Sequence, residues 1–189
     1  MERFNRELEA HIAALYPGEK KVLVFGDGRA HSRVMMIGEA PGEQESLQLK
    51  PFVGKAGKNL DEFLALTGLS RPELYISNTV KFRPTKISRA GRVVNRPPTR
   101  EEVQIFLPWL KREIELVDPQ VVVTLGNVPL KALTGNRSVI GEMHGRFVPY
   151  EGRVLYPIYH PASLIYNRSL ADTYRADLET LKSWLDAAE

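Results

Sequence analysis

The chain has 189 residues, of which 43% are hydrophobic and 26% charged, values that predict one globular domain over residues 1–189 and exclude a disordered or fibrous chain. It contains no cysteine, which excludes disulfides, cysteine-ligated zinc and any cysteine-held iron–sulfur cluster. Lys and Arg exceed Asp and Glu by 26 to 23, for a net charge of +3, which permits a nucleic-acid partner without demanding one. No run approaches the ~20 apolar residues of a membrane span and the charged N-terminus lacks a signal-peptide core, so no membrane association and a cytoplasmic location are expected.

Residues 6–15 carry Leu8, Ile12 and Leu15 at helical spacing before Pro17-Gly18, which reads as a short amphipathic helix. Residues 33–37 (RVMMI) run straight into Gly38-Glu39-Ala40-Pro41-Gly42, a strand ending in a tight turn. Residues 56–66 bring Leu60, Phe63, Leu64 and Ala65 onto one helical face, with Gly68 as the stop. Residues 74–80 (LYISNTV) read as a second strand. The next stretch, residues 81–100, is rich in Pro and Gly and holds Lys81, Arg83, Lys86, Arg89, Arg92, Arg96 and Arg100 with no acidic residue among them. By itself such a run is most simply a solvated loop; beside a phosphate-recognising site it becomes a DNA-facing surface.

Thr99 followed by Glu101 and Glu102 opens a helix through about residue 117, the threonine capping it and the acids favouring the positive end of its dipole. Residues 120–125 (QVVVTL) have the β-branched, almost wholly apolar character of a central parallel strand. Gly126 turns the chain into a helix near residues 129–133, residues 154–158 form a last strand that delivers Tyr159-His160-Pro161 into a loop, and a helix over about residues 170–185 ends the chain. Alternating strands and helices predict an α/β fold, a three-layer αβα sandwich around a mainly parallel four-stranded sheet, with its site at the carboxyl ends of the strands. Glu39, Asn78, Gly126 and His160 all fall there.

Glycine turns alone are weak evidence, but the whole string GEAPGEQESLQLKPFVGKAG at residues 38–57 is specific. It resembles the first motif of family-4 uracil-DNA glycosylases. The likeness continues through FGDG at residues 25–28, YISNTVK at residues 75–81, PWL at residues 108–110, LG at residues 125–126 and HPASL at residues 160–164. It covers about residues 22–168 in the family's order.

The resemblance implies a DNA-repair hydrolase that extrudes uracil from DNA and cleaves its N-glycosidic bond, leaving an abasic site. Phe52 matches the aromatic platform for the flipped base, where stacking contributes about 1–3 kcal/mol. Asn78 matches the amide that reads the N3–H and O4 edge of uracil, an edge whose donor and acceptor are exchanged in cytosine. His160 matches the histidine that donates to uracil O2 as negative charge develops there. Glu39 and Glu45 match acids able to orient water and stabilise a cationic sugar. Gly38, Ala40 and Pro41 match the turn that approaches the base. Without the motif, Asn78 would read as a backbone cap, His160 as turn chemistry, Phe52 as core packing, and Glu45 as an ordinary loop charge.

For the DNA itself, the implied contacts are Lys81, Arg83 and Arg92 on the basic stretch and Ser163, Leu164, Ile165 and Arg168 on the loop after His160, with Leu164 and Ile165 as the apolar wedge. Here the chain departs from its relatives, since Ile165-Tyr166-Asn167 precedes Arg168 where an arginine commonly comes sooner. The larger departure is the cluster: the family's four cysteines include two at the positions of Phe82 and Phe106, and the stretch before Phe25 has none either. The expected replacement is a hydrophobic plug of Phe82, Phe106 and N-terminal apolar residues. No metal or organic cofactor is expected. The expected partner is uracil-containing DNA, single- or double-stranded, bound by a monomer. Asn95 stands where one relative carries a histidine that crosslinks to DNA, and lacking a ring nitrogen it predicts turnover by water. The rival reading is a damage-binding module that kept the pocket and lost catalysis.

Overall fold

The computed structural model describes residues 1–135 and 137–188. In chain order the elements are α1 (Glu2–Leu15), β1 (Asp27–Gly28), β2 (Val34–Gly38), α2 (Glu43–Gln48), α3 (Lys55–Thr67), β3 (Tyr75–Asn78), β4 (Thr85–Ile87), β5 (Val93–Asn95) and α4 (Arg100–Val117). The second half adds β6 (Val121–Leu125), α5 (Asn127–Thr134), α6 (Ile140–Met143), β7 (Val148–Tyr150), β8 (Arg153–Ile158), α7 (Ser163–Tyr166) and α8 (Ala171–Ala187).

The main sheet runs β1-β3-β2-β6-β8-β7. Its four inner strands are parallel, as the sequence predicts, and the two outer ones, β1 and β7, are short antiparallel additions. The sheet is therefore six-stranded, two more than the apolar runs suggest. β7 is joined to β8 by Glu151 and Gly152, both with positive φ (45° and 77°), the two-residue turn whose twist matches a hairpin.

Alternation along the inner strands sorts the two faces. Val34 and Met36 of β2, Val121, Val123 and Leu125 of β6, and Tyr156 and Ile158 of β8 pack with Leu60 and Leu64 of α3 and Leu178, Leu181 and Leu185 of α8. Met35, Ile37, Val122 and Leu155 point the other way, onto Leu110, Ile114 and Val117 of α4 and Leu130 and Leu133 of α5. Burial on both faces explains why these strands read as continuous apolar runs.

A third cluster lies outside the sandwich. Phe4, Leu8 and Ile12 form one stripe of α1 and pack with Leu23, Val80, Phe82 and Phe106. The rings of Phe82 and Phe106 meet edge to face at 5.5 Å, and Tyr16 meets Phe82 at 5.7 Å. The expected plug is thus present, and α1 begins earlier than its periodicity suggests because Phe4 belongs to the same stripe.

Residues 81–100 are not an irregular loop throughout. β4 and β5 form a separate two-stranded hairpin, closed where Gly91 (φ 72°) donates its N–H to Ser88 O at 2.9 Å.

Candidate active site

The carboxyl ends of β2, β3 and β8 open into a cavity of about 310 Å³, walled by Ala40, Gly42, Phe52, Asn78, Asn95 and His160 among others. This is the small end of the range for ligand pockets, about 300–1,000 Å³. The turn after β2, the turn before α3, the end of β3 and the loop after β8 each contribute one wall, so residues far apart in sequence converge as the motif implies.

Gly38 ends β2 in register with Asn78 at the end of β3. A Cβ at Gly38 would lie 2.5 Å from both Asn78 Oδ1 and Phe52 Cζ, so the absence of a side chain there is what lets the ring and the amide sit together. Gly38 O also accepts from the N–H and the hydroxyl of Thr79, each at 2.8 Å, which ties the two strand ends. Pro41 is buried beside the turn, and Ala40 reaches the cavity wall.

Phe52 is buried and holds a left-handed backbone, φ 53°, a conformation that costs a non-glycine residue about 1–3 kcal/mol. Two neighbours hold it. Arg71 donates to Phe52 O at 2.5 Å and to Pro51 O at 3.2 Å while pairing with Asp61 at 2.8 Å. Gly57 passes so close that a Cβ would fall 1.9 Å from Phe52 O. Arg71 lies outside the motif string, and its sequence position carries no sign of this role.

Asn78 is buried, yet its amide borders the cavity and makes no side-chain hydrogen bond among the described residues. His160 is half-buried and its ring lies 5.8 Å from that of Phe52. Its Nδ1 accepts from the N–H of Ala162 at 3.0 Å, so the ring's proton sits on Nε2. Burial pushes its pKa down to about 4. At neutral pH the ring is an uncharged donor.

The two acids separate. Glu45 accepts from Gly42 N–H at 3.1 Å with one oxygen and from Val53 and Gly54 N–H at 3.0 and 2.7 Å with the other. It staples the first turn to the platform loop, a use of its carboxylate that the motif does not reveal. Glu39 directly follows β2, has no side-chain hydrogen bond among the described residues, and is pushed by burial to a raised pKa. Its side chain is not part of the cavity wall.

Two of the expected DNA contacts need correction. Lys81 is fully buried, its ammonium 2.5 Å from Glu113 and 2.6 Å from both Ser77 Oγ and Asn78 O. A cation enclosed in this way cannot reach a phosphate. Leu164 is only 7% exposed and packs with the α3–α8 core, so it is not a free wedge. Ile165 next to it is exposed, and Tyr166, at 88%, is more so. Arg92 and Arg168 are exposed, Ser163 is the first residue of α7 and donates its N–H to His160 O at 2.8 Å, and Arg83 reaches Asn95 Oδ1 at 2.6 Å.

The donor set does not fit an iron–sulfur cluster. There is no thiolate in the chain, Phe82 and Phe106, the residues that the resemblance aligns with two of the family's cysteines, pack ring to ring, and among the described residues no three His, Asp or Glu side chains group as a metal site. Nor, among the described residues, is any helix long and apolar enough to cross a membrane.

Comparison with known proteins gives a consistent result. Residues 25–185 match the model of the uracil DNA glycosylase superfamily. The chain is 35% identical over 177 residues to a type-4 uracil-DNA glycosylase of Saccharolobus solfataricus, covering 89% of this chain and 78% of that one. It is 35% identical over 167 residues to a type-4 uracil-DNA glycosylase of Thermotoga maritima, covering 86% and 83%. Among solved structures, SMUG2 of Pedobacter heparinus superposes with a TM-score of 0.54 at 13% identity, over 100% of this chain and 84% of that one, a likeness of fold.

Proposed function

The chain belongs to the uracil DNA glycosylase superfamily, and we propose that it hydrolyses the N-glycosidic bond of uracil in DNA as a type-4-like enzyme that works without an iron–sulfur cluster. One observation carries this reading: the free amide of Asn78 and the Nε2–H of a neutral His160 border the same cavity as the ring of Phe52. A planar base with one edge of alternating donor and acceptor fits that set.

Extruded uracil stacks on Phe52, and Asn78 offers a donor to O4 and an acceptor to N3–H, a pairing cytosine cannot return. As the C1′–N1 bond breaks, negative charge spreads onto the base, and His160 Nε2–H donates to O2. A neutral donor already fixed by Ala162 needs no reorganisation to do this. Water adds to C1′ of the cationic sugar and gives its proton to Glu39, whose raised pKa suits a general base. Glu39 is given this role, although Glu45 lines the cavity and Glu39 does not, because both oxygens of Glu45 are held by backbone N–H groups while the carboxylate of Glu39 has no hydrogen bond among the described residues. Glu45 is a positioning residue.

The DNA lies across the rim, with Arg92, Ser163, Ile165 and Arg168 towards it, and Tyr166 joins Ile165 as the exposed wedge in place of Leu164. Alkali cleavage of a uracil-containing oligonucleotide after incubation tests the reading. Cleavage at the uracil position is expected for single or double strands, and Asn78→Ala and His160→Ala should each remove most of it. Tight binding with no cleavage would favour a damage-binding module instead.

A further inference from the structure

We propose that the β4–β5 hairpin extends the DNA-binding surface through an apolar pair, Ile87 and Val93, which packs against the base next to the extruded uracil. The inference rests on the uracil-DNA reading above and assigns a partner to residues that reading does not use.

The hairpin stands away from the main sheet, with register Thr85↔Asn95, Lys86↔Val94 and Ile87↔Val93. Side chains along a strand alternate between faces. Thr85, Ile87, Val93 and Asn95 therefore share one face, and Lys86 and Val94 share the other. Asn95 borders the uracil cavity, so the face that carries the Ile87–Val93 pair is continuous with the cavity mouth. Two residues of strand advance the chain about 7 Å, which sets the apolar pair beside the mouth and outside it.

The pair is uncovered: Ile87 is 67% and Val93 55% exposed. A cross-strand β-branched pair supports a hairpin, but that alone does not require the apolar face to lie at the rim of a site. The base of the hairpin is held firmly. Arg96 grips Glu102 with two bonds of 2.7 Å and donates to Thr85 O at 3.0 Å, and Arg83 fixes Asn95 at 2.6 Å.

Charge selects the occupant. The same hairpin carries exposed Lys86, Arg89 and Arg92, Lys86 on the face opposite the pair, and residues 81–100 contain no acid. A polyanion carrying flat apolar groups satisfies both features, with phosphates meeting the cations and a base meeting the aliphatic pair. A second copy of the same basic hairpin would be repelled.

The test compares the wild type with the Ile87→Thr/Val93→Thr double variant, which keeps β-branched side chains and hence the hairpin. Uracil release is measured on an oligonucleotide with normal neighbours and on two others in which an abasic spacer replaces the 5′ or the 3′ neighbour. The variant should lose about tenfold in kcat/KM on the normal substrate. That loss should vanish on one of the spacer substrates, where wild type and variant become equal. An undiminished loss on both spacer substrates, or no loss on any, would overturn the proposal. A concentration-dependent dimer of the wild type that the variant abolishes would assign the face to a second copy and also overturn it. Failure of the wild type to release uracil from any of the three would instead remove the reading of the cavity on which the proposal rests.

Discussion

Gly38 and Asn78 face each other in register at the ends of β2 and β3, and a methyl group on Gly38 would lie 2.5 Å from Asn78 Oδ1 and 2.5 Å from Phe52 Cζ. Gly38→Ala must therefore displace the amide or the ring, the two groups proposed to hold the base. A shift of about 1 Å in a positioning group can cost on the order of a hundredfold. The expected result is a fall of about that size in kcat/KM for uracil release from a protein whose circular dichroism is unchanged.

His160 gives a pH signature. Its pKa is near 4 when folded and near 6.5 as a free side chain, so on acidification the unfolded chain takes up the proton first. Stabilisation from this group is complete above about pH 6.5 and is lost as pH falls towards 4, a loss of about 2–3 kcal/mol. Urea unfolding of the wild type and of His160→Gln over this range should show the difference in slope, with the wild type losing more stability at low pH.

Lys81 tests the correction to its expected role. Lys81→Met leaves the carboxylate of Glu113 buried with, among the described residues, only Tyr75 and Ser77 as donors, at 3.0 to 3.1 Å. Breaking one side of such a pair costs about 3–5 kcal/mol. Urea titration should show that loss, and the Lys81→Met/Glu113→Leu double variant should recover part of it. The salt dependence of DNA binding by folded Lys81→Met should match the wild type, since a phosphate-contacting lysine would lower the slope by about 1.

Phe106 stands in the plug formed with α1. Phe106→Ala should lower the unfolding free energy by about 3–5 kcal/mol, the range for removing a buried aromatic side chain. Denaturant melts monitored by the fluorescence of Trp109, which packs against the same cluster, would measure it.

The inner sheet and the cavity were legible because their signals are local. Apolar runs mark β2, β3, β6 and β8, and their carboxyl ends carry Gly38 and Asn78, with His160 just beyond β8, in sequence patterns that survive without a structure. Lys81 misleads because its charge belongs visibly to the basic stretch, while the carboxylate that neutralises it is 32 residues away on α4. Leu164 misleads in the opposite direction: a four-residue helix, α7, turns it inward and its neighbours Ile165 and Tyr166 outward, and so short an element leaves no periodicity to read. The hairpin could have been found, because Lys86-Ile87-Ser88 and Arg92-Val93-Val94 flank a loop with glycine at its αL position. Arg71 could not, since a guanidinium that holds a carbonyl leaves no pattern in the chain.

Turnover of uracil-DNA by this cysteine-free chain is proposed to need no cluster. It is tested most directly by counting free uracil released per protein molecule in a preparation whose iron content is measured alongside. Many equivalents of uracil are expected from protein that contains no iron, with no protein–DNA complex surviving denaturant. Uracil release confined to iron-containing protein, or DNA binding with no release, would contradict it.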